Sequence, residues 1–277
     1  MMPDIFDLIA RWWKRMLVVM VLSLLAVGII TFLKPRQYLS VTTAVPASSY
    51  ASDKGKIFNE NILGLYSALG SSDDLDRIIG TAALDTVYLF VTDQFNLFDH
   101  YKMKGVNARN KAALLLKKNT RVIKSGYGEL KVKVWDTDKD LAPQLANAIF
   151  DKLHLIHTDL QSAGNEATLK GLQAGKKKIQ LQLDSITGVP GSLIERKTIL
   201  QAQLQQYEKL ISEYQLMVDS KPPVLVVVEK AKPSIRPDRP RRLQIMIATV
   251  VLSFLFALLA ALVMERKKNS PGAGIHS

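Results

Sequence analysis

The chain has 277 residues, 48% of them hydrophobic, a formal net charge of +12 and no cysteine. That length allows one or two domains, and the missing thiols exclude disulfides, thiolate metal sites and a cysteine nucleophile. Residues 1–33 and 243–277 together carry only +3, so the region between them holds +9. Such an excess can attract nucleic acid, acidic glycan or lipid phosphate, and by itself does not choose among them.

Residues 1–15 read MMPDIFDLIARWWKR. Ile5, Leu8, Ile9 and Trp12 share a helical face, which predicts a short amphipathic helix at a membrane interface. Trp12 and Trp13 suit headgroup depth, and Arg11, Lys14 and Arg15 follow the positive-inside pattern. Residues 16–33 form a first apolar span of about 18 residues, near the lower limit for crossing. The basic start would also suit a signal peptide. The exit FLKPRQY offers no small-residue cleavage site, so an uncleaved anchor is expected.

Residues 34–138 read as the first part of an α/β domain. Gln37 to Val45 alternates and is rich in β-branched residues, a strand leaving the membrane. Pro46 to Lys56 is expected to be loop. Ser72 with Asp73, Asp74 and Asp76 fits an N-cap and an acidic first turn better than a metal site. Helices are predicted over Ser72–Ala83, Asp85–Phe98 and Asn107–Lys118. Strands are predicted over Arg121–Ser125 and Glu129–Trp135, joined by a turn at Gly126-Tyr127-Gly128. In the second strand Leu130, Val132 and Val134 face the core, and Lys131 and Lys133 face water.

Residues 139–218 read as one long helix and its return. Thr137 or Asp138 caps it, and Leu141, Leu145, Ile149, Leu153, Ile156, Leu160 and Ala163 keep a 3–4 spacing. The stripe resumes at Leu169, Leu172, Ile179, Leu183 and Ile186, and Thr187-Gly-Val-Pro-Gly191 turns the chain. On the return arm Leu193, Lys197, Leu200, Leu204, Tyr207, Ile211, Tyr214 and Val218 alternate four and three, a heptad seam. About 27 residues per arm would make an antiparallel hairpin of roughly 40 Å. The part from about Lys139 to Leu160 is left to pack on the sheet.

Residues 219–242 bring the chain back. Val224 to Val228 is a buried strand, and Pro233, Pro237 and Pro240 then hold an extended strut. Residues 243–264 are the second span, without a charged side chain and long enough at roughly 33 Å to cross a bilayer. Ser253, Ala257 and Ala261 fall four apart on one face, which suits close helix approach; ordinary alanine usage is the alternative. Residues 265–277 form the tail. With two spans and basic residues beside both, the tails are expected in the cytoplasm and the middle in the periplasm of a Gram-negative cell, an inner-membrane two-pass protein.

No HExxH, GxSxG or GxGxxG motif is present. Gly171-Leu-Gln-Ala-Gly175-Lys176-Lys177 superficially resembles a P-loop, but it is one residue short, lacks the Ser/Thr and sits within a helix. Gly175 and Gly171 instead mark a weak or closely packed place. Asp151, His154 and His157 could form an i, i+3 metal cluster. With no further ligand in view, a solvated helix face is the simpler reading, as it is for Lys176-Lys177-Lys178. The expectation is no catalytic residue, no metal and no cofactor.

The arrangement resembles the Wzz-type polysaccharide co-polymerases, or O-antigen chain-length determinants. The resemblance covers the chain nearly end to end. It rests on DIFDLIARWWKR with its span, the exit strand from Tyr38, ELKVKVWDTD leading into LAPQLANAIF, and VLVVVEKAKPSIRPDRPRR before the second span. Order and spacing carry it; no single motif is highly specific. It implies an α+β membrane protein: two transmembrane helices flank a periplasmic α/β base with a long antiparallel helical hairpin. It further implies a non-enzymatic homo-oligomeric ring that works with a polysaccharide polymerase and a lipid-linked glycan, without nucleic acid. The helical arm is shorter here than in larger members, and Ser253, Ala257 and Ala261 stand where the family usually carries glycines. Related autokinases have a cytoplasmic ATPase domain and a tyrosine-rich tail, which NSPGAGIHS does not provide. Two other readings remain: an accessory subunit of capsule or exopolysaccharide export, and a two-span sensor, which lacks an output domain.

Overall fold

The computed structural model of the chain describes residues 5–47, 72–186 and 191–269. Of the loop expected from Pro46 to Lys56, Pro46 instead ends a strand, and the part beyond Ala47 lies outside the described residues, as do residues 187–190 and the tail beyond Asn269. The chain divides into two compact units, one of residues 1–38 with 234–277 and one of residues 39–233.

The first unit contains α1 (Ile5–Leu33) and the chain's last helix, α8 (Arg242–Asn269). The amphipathic start and first span are thus one unbroken helix. Within these, Ile9–Leu33 and Arg242–Glu265 are long and apolar enough to cross a membrane. Leu22, Leu25 and Ile29 on α1, and Leu252, Phe256 and Leu259 on α8, are all more than half exposed. Core helices of soluble proteins bury such side chains; a bilayer would cover them.

The second unit is built on a four-stranded sheet in the order β2-β3-β1-β4. The strands are β1 (Tyr38–Pro46), β2 (Thr120–Lys124), β3 (Leu130–Asp136) and β4 (Leu225–Glu229). β2 and β3 form the expected hairpin, with Thr120 opposite Val134 and Lys124 opposite Leu130. Gly128 closes its turn at φ +75°, a conformation glycine adopts freely. β4 pairs antiparallel with β1, Pro46 opposite Leu225, through a register shift at Thr43/Ala44. The last strand therefore lies beside the first despite the long insertion between them.

Helices α2 (Ser72–Ala82), α3 (Asp85–Gln94), α4 (Leu97–His100) and α5 (Ala108–Lys118) precede the hairpin. The sequence suggests one helix from Asp85 to Phe98; the structure breaks it at Asn96. There φ is +49° and ψ +46°, a left-handed conformation that asparagine tolerates. The break lets Leu97 turn inward and become fully buried.

α6 (Leu141–Asp184) is a single helix of 44 residues, about 66 Å long. Asp138 opens it: its Oδ1 accepts from the amides of Asp140 at 2.8 Å and Leu141 at 3.4 Å. Leu145, Ile149 and Leu153 are fully buried against α2, α3, β3 and their neighbours. Leu130, Val132 and Val134 enter the same core from β3, while Lys131 and Lys133 are only half-buried. Ile156 is the last side chain of α6 packed against this core, and farther along Leu169 and Ile179 are buried by α7 (Gly191–Ser220), which packs along α6.

Ile149→Ala should lower the unfolding free energy by about 2–5 kcal/mol, because it empties space in a closed core. Val106→Ala, at a fully exposed position, should change it by less than about 0.5 kcal/mol. Urea denaturation of the detergent-solubilised chain gives both values.

Candidate functional site

Three arrangements hold the side chains that could act: the apolar helix pair, the α6/α7 hairpin, and a polar group beside β3. In the helix pair, Ser253, Ala257 and Ala261 are 6%, 3% and 3% exposed. Among the described residues of this unit, α1 is the helix that packs along α8 and buries them in mid-span. The small side chains thus admit the chain's own first helix, whose Met16 and Thr31 are buried in turn. One end of the pair is clamped by Glu265. Arg11 donates to its Oε1 at 2.6 Å and the Trp12 indole to its Oε2 at 2.9 Å. At the other end the Arg242 guanidinium lies 4.4 Å above the Phe32 ring, so the two helices run antiparallel. Of the strut prolines, Pro237 and Pro240 belong to this unit and Pro233 ends the other. No helix or strand covers the segment from Lys230 to Arg241; a single bridge joins Arg239 to Gln37.

In the hairpin, Leu200 is buried and Leu204, Tyr207, Ile211, Tyr214 and Val218 are half-buried. On α6 a row of less exposed residues runs through Asn165, Leu169, Leu172, Lys176, Ile179 and Leu183, spaced four and three, and Ile186, two residues past the helix end, continues it. Lys176 interrupts the apolar row and reaches Glu208 at 2.9 Å. Beside it Gly175 makes room for Tyr207: a Cβ there would stand 2.5 Å from the ring's Cε1 and 2.9 Å from its hydroxyl. Gly171, one turn earlier, faces open space. Gly175 is therefore a contact position and no part of a phosphate loop.

The polar group beside β3 centres on Asp136, whose carboxylate is fully buried. His100 Nε2 lies 2.9 Å from its Oδ1, the Tyr101 hydroxyl donates to Oδ2 at 2.8 Å, and the Asp138 amide donates to Oδ1 at 2.9 Å. Burial, then the Asp136 charge, raises the Tyr101 phenol pKa. Each carboxylate oxygen is thus engaged, and the group pins α4 to the end of β3. Nothing in the sequence spacing joins His100 and Tyr101 to Asp136; the sheet brings them together.

His154 and His157 point to different neighbours. His154 stacks on Phe150 with ring centroids 5.9 Å apart, and its Nδ1 is buried without a partner. His157 Nε2 lies 2.9 Å from Thr81 Oγ1. Among the described residues no three His, Asp or Glu side chains are gathered to hold a metal. Asp74 faces Arg77 at 3.9 Å and Asp76 faces Lys124 at 3.5 Å.

These residues define a mixed helix–sheet chain in which two membrane-length helices bracket a small sheet and a long helical hairpin. No protein-family model matches the chain, and no characterised protein matches it in sequence. Among solved structures, a full-length bacterial polysaccharide co-polymerase is similar at 14% identity and a TM-score of 0.41. The match covers 97% of this chain and 99% of that one. A likeness at that level carries no functional weight.

Two outcomes follow from these contacts. Gly175→Ala should destabilise the hairpin, because the Tyr207 ring must leave its place at about 1–3 kcal/mol. In a Tyr207→Ala background the same change should stabilise by up to about 1 kcal/mol, the helix preference of alanine over glycine. A double-mutant cycle of thermal unfolding measures the reversal.

The second outcome concerns pH. Burial lowers the pKa of His154 and His157, against the smaller opposing effects of Asp151 and Asp74. The unfolded chain then binds protons first, so stability is complete above the ordinary histidine pKa of about 6.5. It falls as pH drops through that value toward the folded pKa values. Replacing both histidines by glutamine should flatten the slope of stability between about pH 7 and pH 5.

Proposed function

We propose that the chain is an inner-membrane polysaccharide co-polymerase that regulates the chain length of an O-antigen or related surface polysaccharide. It acts as a homo-oligomeric scaffold, organising a polymerase and its lipid-linked glycan, and performs no chemistry of its own. Its termini lie in the cytoplasm and its sheet and hairpin in the periplasm. The parts, in order, are the interfacial start and first span to residue 33, the base to residue 138, the helical arm to residue 218, the strand and strut to residue 242, the second span to residue 264 and the tail. The resemblance of the sequence supports this reading.

The observation that carries it is the uneven exposure of the hairpin. One apolar row closes the seam, yet Leu181, Ile194, Ile199 and Leu216 remain more than half exposed. A hairpin with apolar side chains left on its outer faces is suited to packing against copies of itself.

A scaffold works through shape and assembly. Leu200→Asp, which places a charge at a buried seam position, should leave total surface glycan near normal while its modal length shortens or becomes random. Alanine at Asp151, His154 or His157 should leave the length profile unchanged. Gel profiles of surface polysaccharide from complemented deletion strains read both results. Abolished synthesis with intact assembly in one of the polar variants would mean a catalytic or metal site. Intracellular accumulation with no surface glycan in the deletion strain would instead mark an export subunit.

A further inference from the structure

Between α2 and α6 the larger unit holds a cavity of about 430 Å³. Asp74, Arg77 and Thr81 line it from α2, and His157, Leu160 and Gln161 from α6. Val224 closes it just ahead of β4. All of these residues belong to one compact unit. Small-molecule sites commonly enclose roughly 300–1,000 Å³, so the space suffices for a ligand of modest size.

Most polar groups of the wall are already engaged. His157 Nε2 lies 2.9 Å from Thr81 Oγ1, and Asp74 has Arg77 at 3.9 Å among its contacts. Gln161 differs, because its Oε1 is buried and has no hydrogen-bond partner. Among the described residues five buried side-chain atoms share that condition, and four of them sit on His154, Thr158, Gln161 and Ser162. Gln161 is the member of this row that lines the cavity. A buried amide oxygen left unpaired is unfavourable, and water or a ligand usually meets it. The Gln161 amide forms no hydrogen bond among the described residues. A turn about its last side-chain bond therefore presents oxygen or nitrogen to the cavity without breaking one.

The wall selects an uncharged ligand. The Asp74 carboxylate and the Arg77 guanidinium bring opposite charges to the same side. Burial lowers the His157 pKa, so that ring is neutral near pH 7. A charged ligand would find no net countercharge. Beside the polar groups stand two aliphatic side chains, Val224, which is buried, and Leu160, which is 62% exposed. Water would satisfy the amide and leave Leu160 uncovered. A sugar ring satisfies both, with hydroxyls at its edge and C–H groups on its faces. We propose that this cavity binds one neutral sugar residue, with Gln161 and Arg77 bonded to ring hydroxyls and Leu160 and Val224 against a C–H face. The assignment is made from the cavity and does not depend on the scaffold function.

The test uses the full chain in a detergent without a sugar headgroup. Saturation-transfer NMR is run with free glucose, galactose, mannose and N-acetylglucosamine. At least one of these neutral sugars should receive saturation, while the charged glucuronate and glucosamine should not. Gln161→Leu keeps the side chain's size and removes the amide. It should weaken binding about tenfold, and its thermal midpoint should hold or rise, because an unpaired buried oxygen is gone. Leu160→Ala, at an exposed position, should also weaken binding and leave the midpoint unchanged. Gln182→Leu, the same change at an exposed position of α6 outside the cavity, should alter neither. Absence of transfer to every neutral sugar would leave the cavity to water and overturn the proposal. So would equal transfer to the charged sugars, unchanged binding or a lowered midpoint in Gln161→Leu, or equal loss in Gln182→Leu. None of these results bears on the scaffold reading, which the glycan length profile decides.

Discussion

The continuity of α6 is the constraint on which the larger unit depends. Its first third is a core helix, with Leu145, Ile149 and Leu153 enclosed by strands and helices from both sides of it in sequence. Its remainder is one arm of a two-helix seam. The helix runs unbroken through Gly164, which lies between the two roles, so core and arm are one rod. Asn147 couples that rod to the sheet edge. Its Oδ1 accepts from Thr42 at 2.8 Å and from the Ala231 amide at 3.0 Å, and its Nδ2 donates to the Ala231 carbonyl at 3.4 Å. One side-chain amide thus satisfies β1 and the chain just beyond β4, where a lost partner would leave buried polar groups unpaired.

The helix pair obeys a different balance. In a membrane the hydrophobic effect does not hold two helices together, so close packing and polar contacts must. Ser253, Ala257 and Ala261 supply close approach along the middle. Glu265 with Arg11 and Trp12 supplies directional contacts at one end, and Arg242 over Phe32 at the other. The paired Gln37 and Arg239 backbones extend the antiparallel arrangement past the helix ends. Small residues, polar clamp and paired exits each limit how the helices can slide.

What the sequence by itself determined is what periodicity and length encode. Two uncharged runs are long enough to be spans, a 3–4 stripe marks α6, a four–three seam marks α7, and alternation around Gly128 marks the β2/β3 hairpin. These patterns are local, so each can be read within its own element. The tertiary structure alone decided the partnerships. Arg11 and Glu265 are 254 positions apart, and Asn147 and Ala231 are 84 apart. The left-handed turn at Asn96 exists because Leu97 gains burial, and Gly175 is needed because Tyr207 arrives from the other arm. A glycine, an asparagine or an acid at a span end carries no periodic signal. Its role is set by which group the fold places opposite it, and that is a property of the whole chain.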